Sequence, residues 1–315
     1  MSVAAVDGPI VLIVNPRAAG GRAARVGSAA AAGLRDRGLT VDVHETTAPR
    51  AATDLALVAA RAGAGAVVAL GGDGTVHEVA EGLMGSGADA ASRPALGVVP
   101  AGTGNDFVKL LGVDGDVRRT LDLIAAGTTR VWDVGLARWP GGEETFVNAM
   151  GTGIDVEVVR QLERLERMPG VASYGVALLR ALRRFRPVPL ELRLDGVAIE
   201  RDVMMIAIAN GRCIGGGFYV CPSAIPDDGL LDTCIVEEVG LLGIARIMVR
   251  LLRGAHGVHP RVALGRARRV HVAARGHADL FFQLDGELRE PPGARELDVE
   301  VLPGALRVIA PERTT

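Results

Sequence analysis

Three features of the sequence predict an α/β N-terminal domain built on a doubly wound parallel sheet, followed by a C-terminal antiparallel β-sandwich domain. The first 135 residues alternate short β-branched runs with Ala-rich helical stretches, the rhythm of a parallel sheet covered on both faces. Glycine-rich turns follow three of those runs, where a helix is due to begin. Beyond residue 135 short alternating segments dominate, at the spacing of a sandwich or barrel. The expected domains are residues 8–134 and 135–304, with a C-terminal segment, 305–315, that is a candidate to return to the first domain.

Taken in order, Ile10–Val14 is the first strand, and Asn15-Pro16 leads into a glycine loop. Ala23–Arg37 is helical, Thr40–His44 a second strand, and Thr53–Arg61 helical. Ala66–Leu70 and Ala95–Val99 are strands separated by a helix over Val76–Met84. The second half offers Glu144–Ala149, Leu190–Leu194, Val203–Ala209, Leu231–Val236, Val270–Ala273, Leu280–Leu284, Leu297–Leu302 and Ala305–Ala310 as strands. Two helical stretches, Ser173–Arg186 and Leu241–Arg253, interrupt them.

Bulk properties narrow the function classes. Hydrophobic residues make up 49% of the 315, enough for a full core. A net charge of −2 provides no global attraction to nucleic acid, which is not expected as a partner. Cys213, Cys221 and Cys234 form no CxxC pair and fit a reducing cytoplasm. The N-terminus lacks a basic signal-peptide region, and no run of uncharged apolar residues is long enough to span a bilayer. The expected location is therefore cytoplasmic, and any contact with a bilayer would be a transient association at its surface.

The most informative segment is VVALGGDGTVHEVAEGL, residues 67–83. Its glycines, Gly71, Gly72 and Gly74, allow φ > 0 and let backbone N–H groups approach a ligand. The helix that follows favours an anion at its N-terminus, and Thr75 and Glu78 stand at capping-box spacing. At the C-terminal end of a strand in an open α/β sheet, this reads as a phosphate cradle. Asp73 inside such a cradle would repel phosphates unless Mg²⁺ intervenes. A second turn, Ala101-Gly102-Thr103-Gly104-Asn105-Asp106-Phe107, repeats the logic after Pro100. A third, Asn15 to Arg22, adds a glycine loop with a cation suited to phosphate. A plain tight turn is the alternative for each alone.

Taken together, GGDGT, GTGNDF and the NPxxxGGR loop resemble the catalytic domain of diacylglycerol and sphingosine kinases, and the bacterial lipid kinases of that superfamily most of all. The resemblance continues through FVNAMGTGID (146–155), Ile208-Ala209-Asn210-Gly211 with Gly215-Gly216-Gly217, PSAIPDDGLLD (222–232) and Gln283-Leu284-Asp285-Gly286-Glu287, so it covers nearly the whole chain. It implies an α/β ATP-binding domain followed by a β-sandwich, and a Mg²⁺- and ATP-dependent kinase acting on a lipid hydroxyl, most directly that of diacylglycerol or a related lipid alcohol.

By motif position, the resemblance places Asn15, Arg22, Thr46, Gly71, Gly72, Asp73, Gly74, Thr75, Val76, His77, Glu78, Gly102, Thr103, Asn105 and Asp106 around the nucleotide. It makes Glu287 the general base, with Asp73 as the second catalytic residue. Asp228, with the backbone carbonyls of Ile225 and Leu230, would hold a structural Mg²⁺, a simple Asp-Gly turn being the alternative. Asp106 and Asp133 resemble acidic members of a further Mg²⁺ and water network. The chain departs from the family in carrying Ala18-Ala19 where a hydroxyl is frequent, and Arg22 where some members have Lys.

The two helical stretches combine apolar spacing with arginines: Arg180, Arg183, Arg184 and Arg186 in one, Arg246, Arg250 and Arg253 in the other. Such helices suit an anionic bilayer, or simple packing on the sandwich with arginines in water. An exposed sandwich edge would suit a homodimer. The sequence has no GxSxG elbow, P-loop or zinc-type histidine pair. Two other readings compete: a NAD kinase or phosphofructokinase-like enzyme using a GGDG turn, and a non-catalytic lipid-binding regulator. GTGNDF and PDDGLLD argue against the first, Asp73 and Glu287 against the second.

Overall fold

The computed structural model describes residues 6–102, 104–113, 115–165, 171–183, 185, 188–276 and 279–312. The chain forms two compact units, Met1–Trp132 with Gly304–Thr315, and Asp133–Pro303.

The first unit contains β1 (Ile10–Val14), α1 (Arg22–Arg35), β2 (Val41–Glu45), α2 (Ala51–Arg61), β3 (Ala66–Gly71), α3 (Asp73–Met84), β4 (Ala95–Pro100), α4 (Asp106–Leu110) and α5 (Val117–Ala126), and ends within β5 (Thr129–Trp139). The second contains β6 (Gly142–Phe146), β7 (Ala149–Gly153), α6 (Ile154–Glu163), α7 (Val171–Leu182), β8 (Val188–Leu194), β9 (Val197–Ala209), β10 (Leu231–Glu237), α8 (Leu241–Leu251), β11 (Val262–Ala267), β12 (Arg269–Ala274), β13 (Phe282–Leu284) and β14 (Glu287–Arg289), followed by most of β15 (Glu296–Ile309).

In the first unit β4, β3, β1 and β2 lie side by side in that order, all parallel. Every residue of β1, β3 and β4 is buried, as expected of strands covered on both faces, whereas β2 buries only Val41 and forms the edge. Helices pack close because their contact faces are small. A methyl added to Gly82 of α3 would lie 2.2 Å from the Thr53 carbonyl of α2. Leu12, Leu34, Leu70 and Val99 join one cluster, each contributing roughly 1.5–3 kcal/mol by burial.

In the second unit β14–β13–β7–β9–β8–β12–β15 lie side by side with antiparallel neighbours, β10 lies antiparallel between β9 and β11, and β6 pairs antiparallel with β5. Phe146, Met150, Leu192, Ile206, Ile208, Val270, Phe282 and Leu297 fill the core. Trp139 meets Phe282 edge-on, with ring centroids 5.1 Å apart.

The structure corrects the sequence reading at several elements. Leu297–Leu302 and Ala305–Ala310 are one strand, not two, and β9 starts six residues earlier than expected. Pro303 and Gly304 looked like a break because proline cannot donate to a ladder. The strand continues through them instead, with Gly304 at φ 60°, pairing β12 as far as Glu300 and β4 at Val308. Glu144–Ala149 divides between β6 and β7, and α5, α6 and β11 were not anticipated.

Candidate active site

Four loops leave the same edge of the parallel sheet. The register sets Val14 beside both Glu45 and Leu70, and Gly71 beside Pro100. The first residues past the strands extend it: the N–H groups of Asn15, Thr46 and Ala101 donate to the carbonyls of Leu70, Val14 and Gly71 at 2.9, 2.9 and 3.0 Å. Three of the expected phosphate turns, and Thr46, are thereby brought together at the C-terminal strand ends, where an open α/β sheet binds ligands.

The glycines here serve close packing more than unusual dihedrals. Gly72 has φ −94°, and Gly71, Gly74 and Gly102 take no positive φ either, contrary to the expectation above. A Cβ on Gly71 would sit 2.3 Å from the Thr75 hydroxyl, and one on Gly102 would sit 2.6 Å from Gly72 Cα. The GGDGT and GTGND turns therefore touch backbone to backbone, which any side chain would prevent. Positive φ occurs instead at Gly20 and Gly21 of the first loop and at Asn105.

The expected capping box is also replaced. Gly72 is the N-cap of α3 and offers no capping side chain, while Glu78 lies within the helix. Its two carboxylate oxygens accept N–H bonds from Arg50 and Ala52, both at 3.1 Å, and so close the N-terminus of α2. Glu78 thus fixes the loop that follows Thr46. Neither α1 nor α3 has a side-chain cap, whereas α5 is capped by Asp116 through Arg118 and Arg119. The α1 and α3 termini keep their dipole ends available to an anion.

Asp73 accepts the N–H of Phe107 at 3.2 Å, joining the two glycine turns. Asn15 donates to the Thr75 hydroxyl at 3.2 Å. Asn105 accepts the Gly102 N–H at 3.1 Å and donates to its carbonyl at 3.0 Å, so its amide shapes the turn. Asp106, 4% exposed, is paired with Lys109 at 2.7 Å. Val76 and His77 are buried, and Arg22 is exposed at the start of α1. Thr103 lies outside the described residues.

In the second unit, Glu287 opens β14 directly after a two-residue turn. Asp285 and Gly286 take φ 49° and 93°, the paired positive values of a type I′ hairpin. Asp285 accepts three backbone N–H bonds, from Val147, Asn148 and Ala149, each at 2.9 Å. Gln283 accepts the Gly286 N–H at 2.6 Å and donates to buried Asp155 at 2.8 Å. The exposed Glu287 is therefore held by a braced turn. Asp285, Gln283 and Asp155 were quoted only as motif letters. The Asp-Gly pair after an apolar run was the available hairpin signal.

Burial raises the Asp155 carboxyl above its usual range, with the Gln283 amide opposing more weakly. A raised folded-state value means that stability is fully present below the unfolded value and is lost as pH rises through the folded one. Asp155→Asn, which can still accept from Gln283, should therefore melt above wild type at pH 8, with the difference closing towards pH 4. Each kcal/mol relieved is worth roughly 2–4 °C. A lower melting temperature at pH 8, by calorimetry, would show that the fold uses the charge.

Asp228 sits in the turn after Pro226, with its carboxylate accepting Leu230 N–H at 3.1 Å. Buried Asp133 buttresses the same loop: its N–H donates to Pro226 O, and its carboxylate accepts Gly229 N–H, both at 2.7 Å. Arg266 lies 3.7 Å from Asp228 and 3.5 Å from Asp232. Burial raises the Asp232 carboxyl, Arg266 opposes, and the charge of Asp228 adds to the rise. Arg266 thus faces two carboxylates, and Arg212 adds a weaker attraction at Asp232.

Residues 9–137 match the diacylglycerol kinase catalytic domain, and residues 148–310 match the YegS C-terminal NAD kinase beta sandwich-like domain. The diacylglycerol kinase of Mycobacterium tuberculosis (strain ATCC 25618 / H37Rv) is 32% identical over 309 residues, covering 96% of each chain. This chain belongs to the diacylglycerol kinase and YegS-like lipid kinase family. Other relatives of these lipid kinases include the diacylglycerol kinase of Bacillus subtilis (strain 168), 31% identical over 79% of this chain and 80% of its own. A Xanthomonas euvesicatoria protein named Probable lipid kinase YegS-like is 33% identical over 88% and 89%. A crystal structure of the diacylglycerol kinase type from Bacillus anthracis str. Sterne shares the fold, with TM-score 0.80 at 23% identity over 99% of this chain and 98% of that one.

Proposed function

We propose that the chain transfers the γ-phosphoryl group of ATP, with Mg²⁺, to the hydroxyl of a lipid alcohol such as diacylglycerol. The observation that carries this reading is the strand-end edge where uncapped α1 and α3 meet Asp73 and two interlocked glycine turns. Backbone N–H groups there suit a triphosphate, with Asn15, Arg22, Thr46, Gly71 to Glu78, Gly102, Asn105 and Asp106 supplying the lining. Within that set Glu78 and Asn105 act by holding loops, given the bonds they make.

Asp73 and Asp106 would hold a magnesium ion at the phosphates, and Asp228 with the carbonyls of Ile225 and Leu230 a second, structural one. Bound there, the ion would offset the charge of the phosphates and of the carboxylates around them. The lipid hydroxyl oxygen bonds to the γ-phosphorus as the bond to the ADP oxygen breaks, and Glu287 takes the hydroxyl proton. The braced turn beneath Glu287 keeps the carboxylate at a set position during that transfer.

The test is transfer of label from γ-labelled ATP to diacylglycerol, a sphingoid base and ceramide in detergent, beside NAD and fructose 6-phosphate. Label in a lipid is the expected result. Label in NAD or the sugar alone would overturn the lipid assignment, and no ATP affinity at all would overturn the kinase reading.

A further inference from the structure

Helix α8 is apolar on both faces. Ile247 and Leu251 are buried, with Ile244 and Met248 packed beside them. On the opposite face Leu242, Val249 and Leu252 are 76%, 59% and 50% exposed. At the C-terminal end of α8, Tyr219 donates its backbone N–H to Leu251 O at 2.9 Å, and its side chain is also exposed. Val258, in the turn beyond, is 73% exposed. These positions are too many, and too close along one helix, to pass as scattered surface apolars.

Charge accompanies the stripe. Arg246 and Arg253 are exposed beside it and Arg250 is half-buried. No acidic residue occurs in the sequence from Val239 to Gly276. Helix α7 continues the theme with exposed Leu179 and Arg180, followed by exposed Arg183, and it shares a small core cluster with Ile244 of α8. Arg184 and Arg186 lie outside the described residues. The amphipathic packing expected from the sequence is thus satisfied by one face of α8, and the other remains to be accounted for.

We propose that the outward face of α8, together with Leu179 and Arg180 of α7 and Arg183 just beyond it, docks on the surface of an anionic bilayer. Leucine and valine would enter the acyl boundary while the arginines reach the headgroup phosphates along their flexible stems. A second copy of the chain is a poorer occupant, because a two-fold pairing of this face sets arginine against arginine. No described helix is long and apolar enough to cross a membrane, so contact is at the surface. The proposal deepens the lipid-acceptor reading, on which it rests for its purpose, but it is tested without catalysis.

The test is flotation of the full chain with phosphatidylcholine vesicles, with and without phosphatidylglycerol, and without nucleotide. Wild type should bind the anionic vesicles, bind less as salt rises, and largely ignore the neutral ones. Leu242→Asp/Val249→Asp and Arg246→Glu/Arg253→Glu should each weaken binding by about tenfold or more, with thermal denaturation confirming that the exposed substitutions leave the fold intact. Tryptophan emission of Val249→Trp should shift to the blue on anionic vesicles. Failure of wild type to bind, wild-type-like binding by both double variants, or an unshifted Trp in bound protein would overturn the proposal. So would self-association that Leu242→Asp/Val249→Asp abolishes, with no vesicle binding, since a second copy would then cover the face. Kinase activity is measured on detergent-dispersed lipid, so docking and catalysis can fail separately.

Discussion

Glu287→Gln should slow phosphoryl transfer by about two to four orders of magnitude while leaving ATP affinity within a few-fold. Glutamine keeps the shape of the side chain and removes the group that accepts a proton. The position is exposed at the first residue of β14, and its backbone pairs with Leu284, so the fold does not depend on the carboxylate. The stability change should stay within about 0.5 kcal/mol, as for other surface substitutions. Single-turnover kinetics with labelled ATP, beside a direct nucleotide titration, separates the two quantities. A rate within about fivefold of wild type would remove Glu287 from the role of general base, whose contribution is normally far larger.

Asp285→Ala should strongly destabilise the second unit. Its carboxylate accepts N–H bonds from three consecutive residues, Val147, Asn148 and Ala149, all of them buried. Each buried donor left unmatched costs about 1–3 kcal/mol. Alanine at φ 49° adds backbone strain, since aspartate and asparagine tolerate that region better. A total near 3–5 kcal/mol corresponds to a fall in melting temperature of roughly 10 °C or more. Asp285→Asn should lie between, because it keeps one acceptor but turns an N–H₂ towards a backbone donor. The ordering wild type, Asn, Ala in calorimetry is the check, and an unchanged melting temperature for Ala would mean water replaces the carboxylate. Activity should fall with stability, because the same turn carries Glu287.

Local pattern was enough to pick out the glycine turns but not to say what their glycines are for. GGDGT and GTGND stood out because glycine, a carboxylate and a helix start occur together after apolar runs. Their glycines were read as a need for positive φ, whereas Gly71 and Gly102 are required by neighbours from elsewhere in the chain or one turn on. Glu78 was read as a local cap for α3, and its carboxylate instead serves α2, 26 residues away at Ala52. Capping-box spacing describes a reach along one helix and is blind to a second helix laid against it.

What the sequence by itself determined is the alternation of strand and helix, the change to antiparallel pairing near residue 135, and the motifs that tie the chain to the lipid kinases, since each of these rests on residues adjacent in the chain. Only the tertiary structure decided that β15 continues through Pro303, that Asp285, Gln283 and Asp155 brace the turn of Glu287, and that α8 spends one apolar face on the core and leaves the other outside. Those outcomes depend on which distant groups come within hydrogen-bonding or packing distance, and a linear pattern does not carry that information.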